Sequence, residues 1–261
     1  LRNAKRVDPN AHTESRPPIV EAHGALVALS LAKEAGARLH ICHTSIPEVV
    51  EYSSLWRGGG QSVTVETCPH YLLLTQDLMN KRGAFAKIDP PLRSEERRQM
   101  MWNMFVKGEI DTLASDHAPY TIEEKKRGLS SIFDAPSGSP GVETTLPVML
   151  DCVSRGILSI ERLVQAFSET PARITRMYPR KGNLQIGADA DFVVVDMKKE
   201  MIIKADLLHS KQKYSLFEDR KCKGWPVTTI VRGKIVAHDG EVTAKPGYGK
   251  FLKPRPVRSP S

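Results

Sequence analysis

Between residue 19 and residue 116 the apolar positions switch repeatedly from a helical to a strand period. The stretch "IVEAHGALVALSLAKEA", residues 19–35, has helical apolar spacing, and "GARLHICHTS" then alternates as a short strand bounded by Gly36 and Pro47. "IPEVVEYSSLW" predicts a second helix that stops at the glycine run 58–60, and "SVTVETCPH" predicts a second strand. "GAFAKIDPP" predicts a third strand, ended by a double proline. Ser94 is placed to cap a helix over "EERRQMMWNMFVKG", with Glu95 and Glu96 in its electropositive first turn; "IDTLASD" predicts a fourth strand. Strands alternating with helices imply a parallel sheet with crossover helices, either a closed barrel or an open doubly wound sheet.

Both architectures put their chemistry at the carboxyl ends of the strands. There the chain carries His43 with Thr44 and Ser45, then His70, then Asp89, then the Asp116–His117 pair. A period of two sets His43 on the face of Leu39 and Ile41, and His70 on the face of Glu66 and Cys68. One histidine at a strand end is more often a hydrogen-bonded structural residue than a ligand. Two histidines and an aspartate at three such ends could converge on one ion, because imidazole and carboxylate are the ligands of hydrolytic zinc sites. These three side chains alone fall short of a two-metal centre.

The remainder has a different texture. A helical region covers roughly 142–177, with Ser159 placed to cap "IERLVQAFSE" and Pro171 to break it. From 182 to about 243 the chain is β-rich, and Arg232-Gly233 and Asp239-Gly240 mark strand reversals. From Pro246 onward it is proline-rich and basic.

Composition narrows the classes. With 261 residues and 40% hydrophobic content the chain can bury a core. The net charge of +8 is dispersed, with little aromatic interleaving and no nucleic-acid module, so a solvated surface is expected and no nucleic-acid partner. No apolar run reaches the roughly 20 residues of a membrane span, and the first ten residues lack a signal-peptide core, so no membrane association is expected and a cytoplasmic location is the default. Cys42, Cys68, Cys152 and Cys222 form no CxxC pair and read as reduced, packed thiols.

Seven motifs in order carry a resemblance: "LHICHTS", "VTVETCPHYLLLT", "KIDPPLR", "SDHAPY", "GSPGVETTLPVML", "YPRKGNLQIGADADFVVVD" and "TTIVRGKIV". From about Ser15 to Gly249 the chain resembles the second half of the cyclic amidohydrolases, the family of dihydroorotase, allantoinase and hydantoinase or dihydropyrimidinase. The resemblance implies an α/β fold: the C-terminal half of a metal-dependent β/α (TIM-type) barrel plus part of a small β-sandwich. Residues 1–181 would supply barrel strands five to eight, 182–245 the sandwich segment and 246–261 a basic tail.

The same resemblance implies two divalent metals, zinc in most members, bridged by a carboxylated lysine. Residue by residue, His43 and His70 match the histidines of the second metal, and Asp116 matches the aspartate that ligates the first and acts as general base. Such a carboxylate accepts the proton of water and returns it to the amide nitrogen, while the metals polarise the carbonyl. His117 would support the site from behind, and Ser139, Pro140 and Gly141, with Asp89 and Tyr120, would contact the substrate. The family's His-x-His strand and its lysine have no counterpart in these residues, so the expectation is that they do not by themselves complete the site.

Within the family the motifs point first to dihydroorotase, which reversibly closes N-carbamoyl-aspartate to dihydroorotate in pyrimidine biosynthesis. Allantoinase and hydantoinase or dihydropyrimidinase are the alternatives. Asp89 and Tyr120 dissent, because many dihydroorotases carry Asn and His there, near the substrate carboxylate, and a carboxylate facing another is repelled. A small cyclic amide is the expected partner, with a homo-oligomer for the complete protein. A noncatalytic scaffold on the same fold is the reading from another class.

Overall fold

In the computed structural model, which describes residues 6–254, β1 (Leu39–Ile41), β2 (Val63–Thr67) and β3 (Thr112–Leu113) pair in parallel in chain order. They belong to the first of two compact units, formed by the residues up to 145 together with 202–220. Helices α1 (Pro9–Glu14) and α2 (Pro18–Glu34) precede β1, and α3 (Pro47–Gly58) links β1 to β2. Between β2 and β3 run α4 (Pro69–Leu73), α5 (Asp77–Arg82) and α6 (Glu95–Lys107), and α7 (Ile122–Lys126) follows β3. Val63 and Val65 of β2 are buried, and Ile41 packs against the buried cluster of Ala22, Ala25, Ile46 and Val49 from α2 and the start of α3. The alternation read from the sequence is therefore present, with Ser94 accepting from Arg97 N at 3.4 Å as the cap of α6. One further parallel rung, His117 to Ser139, brings the segment after α7 alongside the end of β3.

Two readings of this region need correction. "GAFAKIDPP" is not a strand: Gly83–Ala86 form a 3₁₀ turn, and Lys87 N bonds to Ala84 O at 3.2 Å. Ala84, Ala86 and Ile88 are buried at alternate positions, which mimics a strand. Lys87 between them is buried as well, because its Nζ donates to Ile132 O at 2.8 Å and Ala135 O at 2.5 Å. The second strand also ends earlier than expected, at Thr67. Pro69 lacks an N–H and has a φ set for a first helical turn, so it opens α4 and carries His70 into a helix.

Three polar side chains, two of them buried, tie α2 to the end of β1. Arg93 Nη2 meets Glu21 Oε2 at 2.9 Å and Arg93 Nε donates to Ser45 Oγ at 3.0 Å, while Ser45 N donates to Glu21 Oε1 at 2.8 Å. The charged pair is nearly dry, with Arg93 5% and Glu21 14% exposed, so each partner's charge depends on the other.

The second unit comprises 146–201 and 221–254 of the described residues, and α8 (Thr145–Ser154) begins at its boundary. Ser159 accepts from Arg162 N at 3.1 Å to cap α9 (Ile160–Val164). Pro171 does not break the helix as expected. A π-turn over Gln165–Glu169 leads into α10 (Thr170–Ile174), and Thr170 N reaches back to Gln165 O, so the wider register absorbs the proline. β4 (Phe192–Ile202), β5 (Lys221–Val231), β6 (Lys234–His238) and β7 (Glu241–Val242) form a sheet in that order. Its two hairpins turn at the dipeptides expected, with positive φ at both central residues: 48° and 76° at Arg232-Gly233, 45° and 88° at Asp239-Gly240. Tyr248 Oη donates to Val231 O at 2.9 Å; the tail residues 255–261 lie outside the described residues. The spatial grouping cuts the chain at 145/146, 201/202 and 220/221, and the boundaries at 181/182 and 245/246 remain a proposal about modules.

Candidate functional site

Beyond β1 the chain turns sharply. Thr44 N donates to Glu66 O at 2.8 Å, and His43 adopts a left-handed backbone with φ of 40°. Strand alternation would leave the His43 side chain with Ile41 on the helix-packed face; a left-handed residue interrupts that alternation. Asp116, just past β3, does the same with φ of 46°. Non-glycine residues in this region are uncommon and concentrate at functional sites.

His43 lies within electrostatic reach of both His70 and Asp116. His70, on the first turn of α4, is 5% exposed and meets the Tyr71 ring edge-on at 4.2 Å between centroids. Burial, reinforced by His43, pushes the His70 imidazole down to about 3, so it is neutral across the physiological range. The Asp116 carboxyl is held above its ordinary value, first by burial and then against the opposing pull of His43, with Glu66 adding to the rise. His43 Nδ1 and His70 Nε2 are buried and have no hydrogen-bond partner. Two buried imidazole nitrogens without hydrogen-bond partners are donors of the type that a divalent cation such as zinc takes.

His70 and Asp116 line one cavity with Ser139, Pro140 and Gly141, and apolar Ile88, Leu216 and Phe217 line it as well. His117 stands at the rim, where its Nδ1 accepts from Gly141 N at 3.1 Å and Val142 N at 3.2 Å. With Nδ1 accepting, the neutral ring carries its proton on Nε2. The turn it holds has no room for side chains at two points. A Cβ on Gly141 would meet Ser115 O at 2.7 Å; one on Gly138, whose φ is 148°, would meet Ala118 O at 2.6 Å. Below the turn, Lys125 Nζ donates to Lys87 O and Pro136 O, each at 3.0 Å. Burial, with Lys87 next, brings the Lys125 amine down to about 7. A neutral amine has two N–H donors, and both find a carbonyl here.

Asp89 and Tyr120 are placed elsewhere. The Asp89 carboxylate pairs with Arg16 Nε at 2.8 Å and lies 3.4 Å from His12 Nε2, and it does not line the cavity. Tyr120 N donates to Tyr214 Oη at 3.2 Å, and its ring flanks Gly138. Conversely, sequence reasoning missed the apolar wall. Leu216 and Phe217 come from a segment read as part of the β-rich module, and nothing in their spacing ties them to a site a hundred residues upstream.

Comparison with known proteins identifies the family. Residues 1–236 match the Amidohydrolase family. The chain is 40% identical over 249 residues to the L-hydantoinase of Paenarthrobacter aurescens, covering 95% of this chain and 54% of that protein. It is also 40% identical over 242 residues to the dihydroorotase of Halobacterium salinarum, covering 93% and 55%. Among solved structures, the L-hydantoinase (dihydropyrimidinase) from Arthrobacter aurescens superposes with a TM-score of 0.94 at 40% identity, over 97% of this chain and 56% of that one. A D-hydantoinase structure gives 0.91 at 35% identity, over 96% and 56%. The chain thus spans about half the length of the curated relatives it matches. The fold class is the one expected: the C-terminal portion of a β/α barrel with part of a β-sandwich.

Proposed function

Because this chain belongs to the amidohydrolase family, we propose that it serves the metal-dependent hydrolysis, or the reverse closure, of a cyclic amide. The observation that carries the reading is the gathering of His43, His70 and Asp116, with two buried imidazole nitrogens that lack hydrogen bonds. His43 and His70 would hold one divalent cation and Asp116 another, zinc being the favoured identity; when bound, such ions supply Lewis-acid polarisation of the scissile carbonyl. The Asp116 carboxylate takes a proton from the attacking water and returns it to the departing ring nitrogen. Its raised pKa suits the return, because it moves the carboxyl toward the operating pH. His117 orients the Ser139–Gly141 turn, whose backbone groups face the ring.

The apolar wall of Ile88, Leu216 and Phe217 favours a ring bearing an uncharged or apolar substituent, as in a hydantoin. The sequence motifs place dihydroorotase first, and the 40% identity to a dihydroorotase keeps dihydroorotate as the second reading. The test is a zinc-loaded assay of the complete gene product on a 5-alkyl hydantoin, dihydrouracil, allantoin and dihydroorotate. Turnover confined to dihydroorotate would sink the hydantoin reading. Undiminished turnover in Asp116→Asn would remove Asp116 as the base. A folded protein inert toward all four would favour the scaffold class.

A further inference from the structure

A second cluster of donors occupies the β1–β2 pair. In the parallel register His40 lies opposite Thr64 and Ile41 opposite Val65. Ile41 packs toward the helices and Val65 is buried, so His40, and Glu66 one period beyond Thr64, point to the other face. Cys42, one period beyond His40, joins them. The imidazole nitrogen, the thiol sulfur and the carboxylate oxygen all lie within 4.8 Å of one another. His40 and Glu66 are 29% and 18% exposed, and the Cys42 thiol is accessible.

The hydrogen bonds around His40 point to a ligand. Thr64 Oγ1 has the Leu39 carbonyl at 3.5 Å as its own acceptor, and His40 Nδ1 lies 2.8 Å from the same hydroxyl. When the hydroxyl donates to Leu39 O, Nδ1–H donates to it in turn, and the Nε2 lone pair faces Glu66 Oε2 at 3.3 Å. Two acceptors then confront each other, a mismatch that a cation between them resolves. A histidine anchored through its far nitrogen on a neighbouring polar oxygen, with the near one free, is the usual arrangement of a metal ligand. The competing arrangement, Nε2–H donating to Glu66, leaves Cys42 without a part.

We propose that His40, Cys42 and Glu66 bind a transition-metal cation of the zinc class, at a site distinct from the His43–His70–Asp116 constellation. One imidazole, one thiolate and one carboxylate form a borderline-soft set that selects zinc, cobalt or cadmium over magnesium or calcium. Three protein ligands leave a fourth position for water or an incoming anion.

Cobalt titration of the purified metal-free chain tests this, because the His43, His70 and Asp116 side chains contain no sulfur. Thiolate-to-cobalt charge-transfer absorption in the near ultraviolet should saturate at one equivalent and survive in His70→Asn. It should vanish in Cys42→Ser and require at least about tenfold more metal in His40→Asn and Glu66→Gln. In parallel, zinc should protect Cys42 from iodoacetamide in the folded wild-type chain, and alkylated protein should lose the absorption; this arm holds even where a variant fails to fold. No thiolate absorption at saturating cobalt, absorption undiminished in Cys42→Ser, or alkylation of Cys42 at the same rate with and without zinc would each overturn the proposal.

Discussion

His43 and Asp116 leave the two outer strands of the parallel sheet in the same left-handed conformation, with φ of 40° and 46°. For most side chains that conformation is unfavourable by about 1–2 kcal/mol, and short polar residues tolerate it best. Asp116→Asn should therefore unfold in urea within about 0.5 kcal/mol of wild type, while in the complete gene product the same change should lower the proposed hydrolysis by about 10²-fold or more. Asp116→Val should lose about 1–2 kcal/mol of stability in addition. Equal stability losses in the two variants would show that the backbone at Asp116 is not under strain.

The His117 ring accepts from two amides of the turn, so the proposed role for it is to hold that turn. Replacing it with Phe leaves Gly141 N and Val142 N without their acceptor, at about 1 kcal/mol for the weakened turn. If the complete gene product carries the proposed activity, its steady-state kinetics on the best substrate should show KM raised about fivefold with a smaller change in kcat. A large fall in kcat at constant KM would assign His117 to the chemistry instead.

Acid should act through His12. Its ring is fully buried and satisfied as a neutral base, with Nε2 on Ile88 O at 2.8 Å and Nδ1 beside Arg16 Nη1 at 3.2 Å. Burial brings it down to about 4 from an ordinary 6.5, against the raising effect of the Ile88 carbonyl. Between those two values the unfolded chain holds the extra proton, so its contribution to stability is intact above 6.5 and is lost as pH falls through 4. His70, held down to about 3, adds a slope of the same sign. Urea denaturation should therefore show the pH slope in that window reduced by up to about 1.4 kcal/mol per pH unit in His12→Gln, with the His70 contribution remaining.

Lys125 produces a slope of the same sign at higher pH. The amine is charged in the unfolded chain up to its ordinary 10.5 but only below about 7 when folded. From pH 7 to 10.5 the unfolded state therefore binds the additional proton, and stability rises with pH. Thermal melts of wild type and Lys125→Met across this window should diverge, the variant lacking the rise. Parallel curves would mean that the buried amine keeps its proton.

Much of this was legible in one sequence. The helix of residues 18–34, the Ser94 and Ser159 caps and both hairpin turns followed from local rules, because caps and turns are decided by neighbouring residues. The strand reading of 83–91 failed where a tertiary contact overrode the pattern: Lys87 is buried by carbonyls of residues 132 and 135. His43, His70 and Asp116 stood out as candidates by type and position, though the left-handed backbone at His43 did not. Asp89 looked like a substrate contact because nothing local reveals Arg16 as its partner. Leu216 and Phe217 carried no signal, since a cavity wall built by a distant segment has no period.

The two buried lysines both hold main-chain oxygens of the loop ahead of the Ser139–Gly141 turn: Ile132 O and Ala135 O for Lys87, and Pro136 O for Lys125, which donates to Lys87 O as well. They read the path of the loop and ignore most of its letters. Replacing exposed Asp134 leaves every one of these bonds in place, whereas one residue inserted between 132 and 136 would carry the carbonyls out of register with both amines. Across descendants of this chain, that stretch is free to change in spelling and constrained in length.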